Sequence, residues 1–410
     1  MGVYINPTVI IKMIILRNEA FGGTIFDTTD GMLIRLDKEG FECVLKHICK
    51  HELSDDEREL ISTLNSMGVT DFSKTLIRLS NIRQKSDELF VTEGPELIDF
   101  QITYKCNSSC PHCYVDAGPF GETAKLRSIL LALDEFYKNR VLQVAFGGGE
   151  PTLHPQLDTI LKETYDRGIV PNLTSNGKNI PEKVMNAIYQ YCGAIAFSVE
   201  EIGTAFKKRR GYDILQLFKL AQSLISIGVN VVFHITISKS NLLQLPHIVS
   251  ELIRLEPYGI VFLAYKPVGR GKVEESLATI DPRILHKMLC ITLKVIKGKT
   301  NVGFDSCFAP GLSLLALTQL HETYEGCSAA RTSANVNPRL DVRPCSFMGN
   351  VGGNLKNQSL NEIWNAKVFE SFRNQILCHL VNCKNCLLLM QCLSGCPVMK
   401  IVPCTLRSVC

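Results

Sequence analysis

Along the chain the spacing of apolar positions changes character twice. Over residues 1–93, short apolar runs at Ile10–Leu16, Thr24–Phe26 and Met32–Leu36 are separated by Gly22-Gly23 and Asp27–Gly31, which predicts a small three-stranded meander. The period then becomes helical. Phe41, Val44, Leu45 and Ile48 share one face, and Leu60, Ile61 and Leu64 follow Ser54, a helix cap with Glu57 three residues on. Strands followed by helices in so short a span predict a winged-helix-like α+β module.

From residue 94 to 306 apolar strands alternate with amphipathic helices. Strands are predicted at Leu97–Tyr104, Val141–Phe146, Ile169–Thr174, Ala194–Val199, Val229–Ile237 and Ile260–Ala264, with helices over 124–139, 155–167, 181–191, 212–227 and 244–255. Such a βα repeat builds a mainly parallel sheet and carries its chemistry in the loops after the strand ends. Over residues 307–410 the periodicity fades and ten of the 17 cysteines collect. A core that thin needs staples, which metal sites can supply.

Composition adds one fact to this picture. With 20% charged and 46% hydrophobic residues, and 44 Lys plus Arg against 40 Asp plus Glu in 410 residues, the chain is ordinary globular protein, not disordered, collagenous or a polyanion-binding tail. Seventeen cysteines are not ordinary. They suit either a secreted disulfide framework or cytosolic thiolate ligands. The N-terminus lacks a basic segment leading into an uninterrupted apolar one, and no run approaches 18 apolar residues. The expectation is a cytoplasmic chain, no membrane partner, and cysteines that bind metal.

Cys106-Asn-Ser-Ser-Cys110-Pro-His-Cys113 is a CxxxCxxC run directly after the first repeat strand. Three thiolates on a [4Fe-4S] cluster leave one iron for another ligand; a zinc knuckle would lack its fourth. In this place the run resembles the radical S-adenosylmethionine (SAM) superfamily, over roughly residues 95–300. The resemblance implies a partial (β/α)6 TIM-like barrel in which SAM chelates the open iron, is cleaved by one electron, and yields a carbon radical that takes hydrogen from the substrate. It further implies SAM contacts at Gly148, Gly149 and Glu150 in Phe146–Pro151, at Asn176 in Thr174-Ser175-Asn176-Gly177, at Ser198, and at Arg210 for the carboxylate. Tyr265–Gly271 would lie near adenine. His234 and Thr236 face the same end by alternation, where a packed core histidine is the plain alternative.

Cys383-x2-Cys386-x5-Cys392-x3-Cys396, with Cys327 and Cys345 ahead of it and Ser359–Trp364 between, resembles the SPASM domain that follows such barrels. That resemblance implies two auxiliary [4Fe-4S] clusters, three in all. The first would use Cys307, Cys327, Cys345 and Cys396; the second Cys383, Cys386, Cys392 and a last cysteine, Cys410 on spacing, with Cys404 the alternative. Leu340 stands where the family pattern has glycine. Cys43, Cys49, Cys192, Cys290, Cys378 and Cys404 are left as ordinary small residues.

The leading module carries 11 Lys and Arg against 15 Asp and Glu, a net of −4. Phosphate binding needs the opposite sign, so no nucleic-acid partner is expected. The segment from Arg17 to Gly23 and on to Asp37 resembles the leader-recognition domain of ribosomal peptide maturases. It implies a precursor peptide added as a strand beside Met32–Leu36; a purely structural cap is the alternative. The expected domains are 1–93 for leader recognition, 94–306 for the radical SAM barrel and 307–410 for SPASM.

Together these parts imply a peptide maturase making a thioether, a C–C or C–O crosslink, or an oxidative decarboxylation, with an electron donor such as flavodoxin or ferredoxin. Alternatives are a SPASM enzyme acting on a tetrapyrrole or as a sulfatase-type activator, and a non-enzymatic zinc-binding regulator. Glu200, Glu201 and Tyr265 are acid or base candidates by location alone.

Overall fold

The computed structural model describes residues 13–29, 31–69, 72, 75–78, 90–317, 324–380, 383–399 and 402–406. The first sheet holds β1 (Ile14–Glu19), β2 (Gly22–Asp27) and β3 (Leu33–Asp37), then come α1 (Lys38–Ile48), α2 (Asp55–Ser66) and β4 (Thr75–Arg78). Its order is β3-β2-β1-β4, with β1 to β3 antiparallel and β4 parallel to β1.

The meander was legible in the sequence, but its register was not. Residues 10–12 of the expected first strand lie outside the described residues, and β1 continues through Arg17, Asn18 and Glu19. Gly22 and Gly23 belong to a strand, and the turn is Ala20-Phe21. Gly23 is required by packing: a Cβ there would lie 2.1 Å from the Phe41 ring of α1. The Ser54–Glu57 capping box opens α2 as expected, and Phe41, Val44, Ile61 and Leu64 bury against Ile14, Leu16 and Ile25.

Arg17 and Glu19 break the alternating pattern for a tertiary reason. Their side chains are fully buried and paired at 2.5 Å. Arg17 donates to the carbonyls of Gly94, Pro95 and Arg140, while Glu19 accepts from the Glu93 amide at 2.7 Å. Arg140 answers by donating to Asn18. The small sheet is thus bolted onto the neighbouring core by buried charge.

The second sheet begins with β5 (Leu97–Thr103), α3 (Leu126–Lys138), β6 (Gln143–Gly148), α4 (Leu157–Asp166), β7 (Val170–Ser175), α5 (Glu182–Tyr191) and β8 (Ala194–Ser198). It continues with α6 (Gly203–Arg210), α7 (Ile214–Ser226), β9 (Val231–Ile237), α8 (Leu245–Ile253), β10 (Gly259–Ala264), α9 (Pro282–Ile296), β11 (Asn301–Phe304) and α10 (Ala309–Ala316). β5 to β11 pair in parallel in chain order, so the mainly parallel α/β architecture is as expected and each of the six predicted strands is present. The basic helix α6, the helix α9 and the strand β11 were not foreseen.

The cysteine-rich region departs more from expectation. β12 (Ser333–Val336) pairs in parallel with β5, and β13 (Asp341–Arg343) and β14 (Gly353–Asn354) extend the sheet antiparallel. Helices α11 (Leu360–Trp364), α12 (Lys367–Leu380) and α13 (Leu389–Cys392) follow. Leu360, Ile363, Trp364 and Phe369 are buried in the same core as the barrel residues, and the Trp364 indole donates to the Thr92 carbonyl at 3.0 Å. This region therefore shares the barrel's core instead of depending on staples alone. Among the described residues no helix is long and apolar enough to cross a membrane.

Candidate iron–sulfur and cofactor site

Backbone geometry at the ends of β5 and β6 builds the cysteine loop. Cys106 donates its amide to Gly118 at 2.8 Å, and the amides of Gly149 and Glu150 donate to the carbonyls of Thr103 and Lys105 at 2.7 and 2.8 Å. Gly148 has φ of +112°, and a Cβ on it would meet the Thr103 oxygen at 2.2 Å; one on Gly149 would meet the Lys105 oxygen at 2.3 Å. These glycines thus let two backbone segments touch. Gly147, which the sequence did not single out, lines the cavity with nothing within 4 Å of its missing Cβ.

A cavity of about 520 Å³ opens at these strand ends. One wall carries Cys106, Cys110 and Cys113, with Gly148, Gly149, Asn176, Ser198 and Arg210 around them. The other carries Cys307, Cys327, Cys345 and Cys396. Seven cysteines far apart in the chain therefore face one space.

Glu150 differs from the rest of its motif. It is fully buried behind the wall, where its carboxylate accepts from Thr152 Oγ1 at 2.6 Å, Ser175 Oγ at 2.8 Å and the amides of Thr152 and Asn176 at 3.1 and 2.7 Å. Burial raises its pKa against the pull of those donors. In this conformation it ties β6 to β7. Asn176, so fixed, sends its amide to Asn107 Oδ1 at 2.7 Å and towards Cys106 Sγ at 3.9 Å.

Arg210 closes the α6 side. Its guanidinium forks onto Glu200 and points Nη1 at Cys110 Sγ, 3.4 Å away. His112, inside the cysteine motif, lies 3.4 Å from the same carboxylate. Burial alone would raise the Glu200 pKa, but Arg210 and His112 hold it well below the usual carboxylate range. Glu200 is therefore an anion that positions Arg210. The other acid or base candidates found partners too: Glu201 pairs with Arg209 at 2.7 Å, and the Tyr265 hydroxyl donates to Gly271 at 2.9 Å.

Arg270 was quoted only as part of a motif, yet it clamps the loop. Its side chain donates to the carbonyls of Cys110 and Ala117 at 2.9 and 2.7 Å, and its amide to Cys113 at 3.0 Å. Gly269, at φ +57°, makes room, since a Cβ there would meet the Cys113 oxygen at 2.5 Å. No spacing rule in the sequence marks a long-range clamp. Asp99 of β5 was also missed: it faces the cavity, accepts from Asn335 at 3.0 Å, and is pushed up by burial to about 6.

The second thiol group lies away from this cavity. Cys392 has Cys383, Cys386 and Cys404 as its charge neighbours, with the Tyr324 hydroxyl against it. Ser313 Oγ sits 3.5 Å from Cys404 Sγ. Cys410 lies outside the described residues. Leu393, Ser394 and Gly395 are left-handed in succession, which swings the chain from this group to Cys396 on the cavity wall.

All three groups offer only sulfur donors, which suits iron–sulfur clusters. Burial pushes Cys327 and Cys345 up to about 12 and Cys392 to about 11, so bound iron is what would hold them as thiolates. Cys396 shifts the other way because the Cys307 thiol donates to it. Among the described residues no three His, Cys, Asp or Glu side chains converge on a single-ion site.

A parallel sheet with a three-cysteine loop at its mouth and further thiols opposite defines an iron–sulfur enzyme. Residues 100–251 match the radical SAM superfamily, and residues 327–387 match SPASM, an iron–sulfur cluster-binding domain. The chain is a radical SAM enzyme with a SPASM extension. It is 25% identical over 301 residues to mycofactocin maturase MftC of Mycobacterium tuberculosis, covering 68% of this chain and 73% of that one. It is 24% identical over 321 residues to an AdoMet-dependent heme synthase of Methanosarcina barkeri, covering 69% and 86%. Its fold matches Streptococcus suis SuiB bound to precursor peptide SuiA with a TM-score of 0.69 at 17% identity, over 93% of this chain and 94% of that one.

Proposed function

We propose that this enzyme matures a ribosomally made precursor peptide in the cytoplasm, gripping its leader at residues 1–93. The observation that carries the reading is the edge of the anchored small sheet: among the described residues β3 (Leu33–Asp37) ends the order β3-β2-β1-β4, with outer backbone groups an added strand could pair with. Similarity to a mycofactocin maturase and a fold shared with SuiB bound to its precursor peptide support it.

The reading assigns Cys106, Cys110 and Cys113 to a SAM-binding cluster and Cys307, Cys327, Cys345 and Cys396 to the first auxiliary one. For the second it takes Cys383, Cys386 and Cys392 with Cys404, the cysteine grouped with them. Bound, these groups would supply one electron and, from SAM, a carbon radical able to remove hydrogen from the peptide. The chain's own residues have other tasks. Asn176 and Arg270 fix the cysteine loop, and Glu200 aims Arg210 at Cys110.

The deciding experiment is calorimetric titration of the full chain with the leader of a short open reading frame neighbouring its gene. Saturable binding, lost when the peptide's docking segment is interrupted by proline, is expected. Binding of a porphyrin and not the peptide would favour the tetrapyrrole alternative.

A further inference from the structure

Apart from its cysteines and histidines, the wall of the thiol-lined cavity carries six charged side chains: Asp99, Glu200, Arg210, Lys266, Arg270 and Asp305. Five of them are matched. Glu200 takes Arg210, Lys266 sits 2.5 Å from Asp305, and Arg270 pairs with Asp116 at 2.8 Å. Asp99 has no ion pair among the described residues, and its partners are the neutral side chains of Asn335 and Ser346.

The mismatch is built in by the sheet. Asn335 of β12 stands opposite Asp99 of β5 in register, and its Nδ2 donates to the Asp99 carbonyl at 3.1 Å and to Oδ2 at 3.0 Å. The Asn335 side-chain oxygen, on a residue 1% exposed, is left with no donor among the described residues and adds partial negative charge to the same corner. A buried carboxylate without a cation and a buried oxygen without a donor are both costly.

The apolar surroundings narrow the ligand. Ala145 of β6 lies opposite Asp99 in register, and both Ala145 and Leu97 line the cavity. The rings of Tyr114 and Phe347, 5.1 Å apart, line it too. An alkyl stem ending in a cation fits such a wall, with methylenes on Leu97 and Ala145 and the charged head at Asp99. The residues assigned to SAM, among them Gly148, Asn176 and Arg210, surround the cysteine loop, whereas Asn335 and Ser346 belong to the cysteine-rich region opposite.

We propose that Asp99 forms the subsite for a cationic side chain of the substrate, a lysine or an arginine of the peptide. The inference rests on the peptide-maturase reading. An ammonium or a guanidinium supplies the charge that Asp99 lacks, through a charge-assisted hydrogen bond. A neutral side chain of the same shape leaves the carboxylate unmatched.

The test titrates the cluster-loaded full chain calorimetrically with Nα-acetyl-lysine methylamide, Nα-acetyl-arginine methylamide and, as neutral control, Nα-acetyl-norleucine methylamide. At least one cationic probe should bind about tenfold more tightly than the norleucine probe. Asp99→Asn should remove that preference without weakening the binding of the norleucine probe or of SAM, and Asp99→Glu should restore part of it. Equal binding of all three probes, or a cation preference that survives in Asp99→Asn, overturns the proposal. Leader binding without any cation preference sinks this inference alone. A cation preference that is lost with Asp99, in a chain that binds no leader, keeps the site and removes the peptide reading.

Discussion

At Leu340 the family pattern has glycine, and the backbone shows why: φ is +71°, in the left-handed region. The turn survives without glycine because Leu340 is completely buried. Left-handed strain costs about 1–2 kcal/mol and a buried leucine contributes about 1.5–3 kcal/mol. A second residue-scale effect concerns pH. Burial pulls His234 down from 6.5 to about 4, only partly opposed by Glu200 and Asp305. A depressed histidine contributes stability that is complete above pH 6.5 and drains away as pH falls through 4. His234→Gln should therefore lessen the fall of the denaturant midpoint over that window, by up to about 3 kcal/mol of unfolding free energy. Equal pH profiles for the two proteins would contradict this assignment.

Among elements, the small sheet shows how one residue sets a layer distance. Gly23 of β2 lies under Phe41 of α1, with no room for a methyl group. Gly23→Ala should lift the helix from the sheet and destabilise the module by about 1–3 kcal/mol, seen as an earlier transition in chemical unfolding. The elements themselves were largely readable beforehand. Periodicity marked β5 to β10 and the capping box marked α2, because both signals are local. The end of β1 was not readable, since Arg17 and Glu19 look like surface residues until the carbonyls of Gly94, Pro95 and Arg140 are brought to them.

For the whole molecule, the pivotal fact is that the cysteine-rich region extends the barrel sheet through β12 on β5. That pairing sets Cys327 and Cys345 across the cavity from Cys106, Cys110 and Cys113. If three [4Fe-4S] clusters are bound, the chain holds about 12 iron. Cys404→Ser should lose about four of them and Cys410→Ser none, read by iron analysis after anaerobic purification. The reverse pattern would make Cys410, which spacing favours, the fourth ligand.

The sequence by itself determined what depends on neighbours along the chain: the βα alternation, the helix caps, the CxxxCxxC loop after a strand end, and the wealth of thiols. Only the tertiary structure decided which thiols share a space. It made Glu150 a buried tie and Arg270 a clamp, and it set Cys404 with Cys383, Cys386 and Cys392. The physical reason is common to all of these. Local periodicity encodes which face of an element is buried, whereas the partner of a buried polar group is fixed only when distant segments pack together.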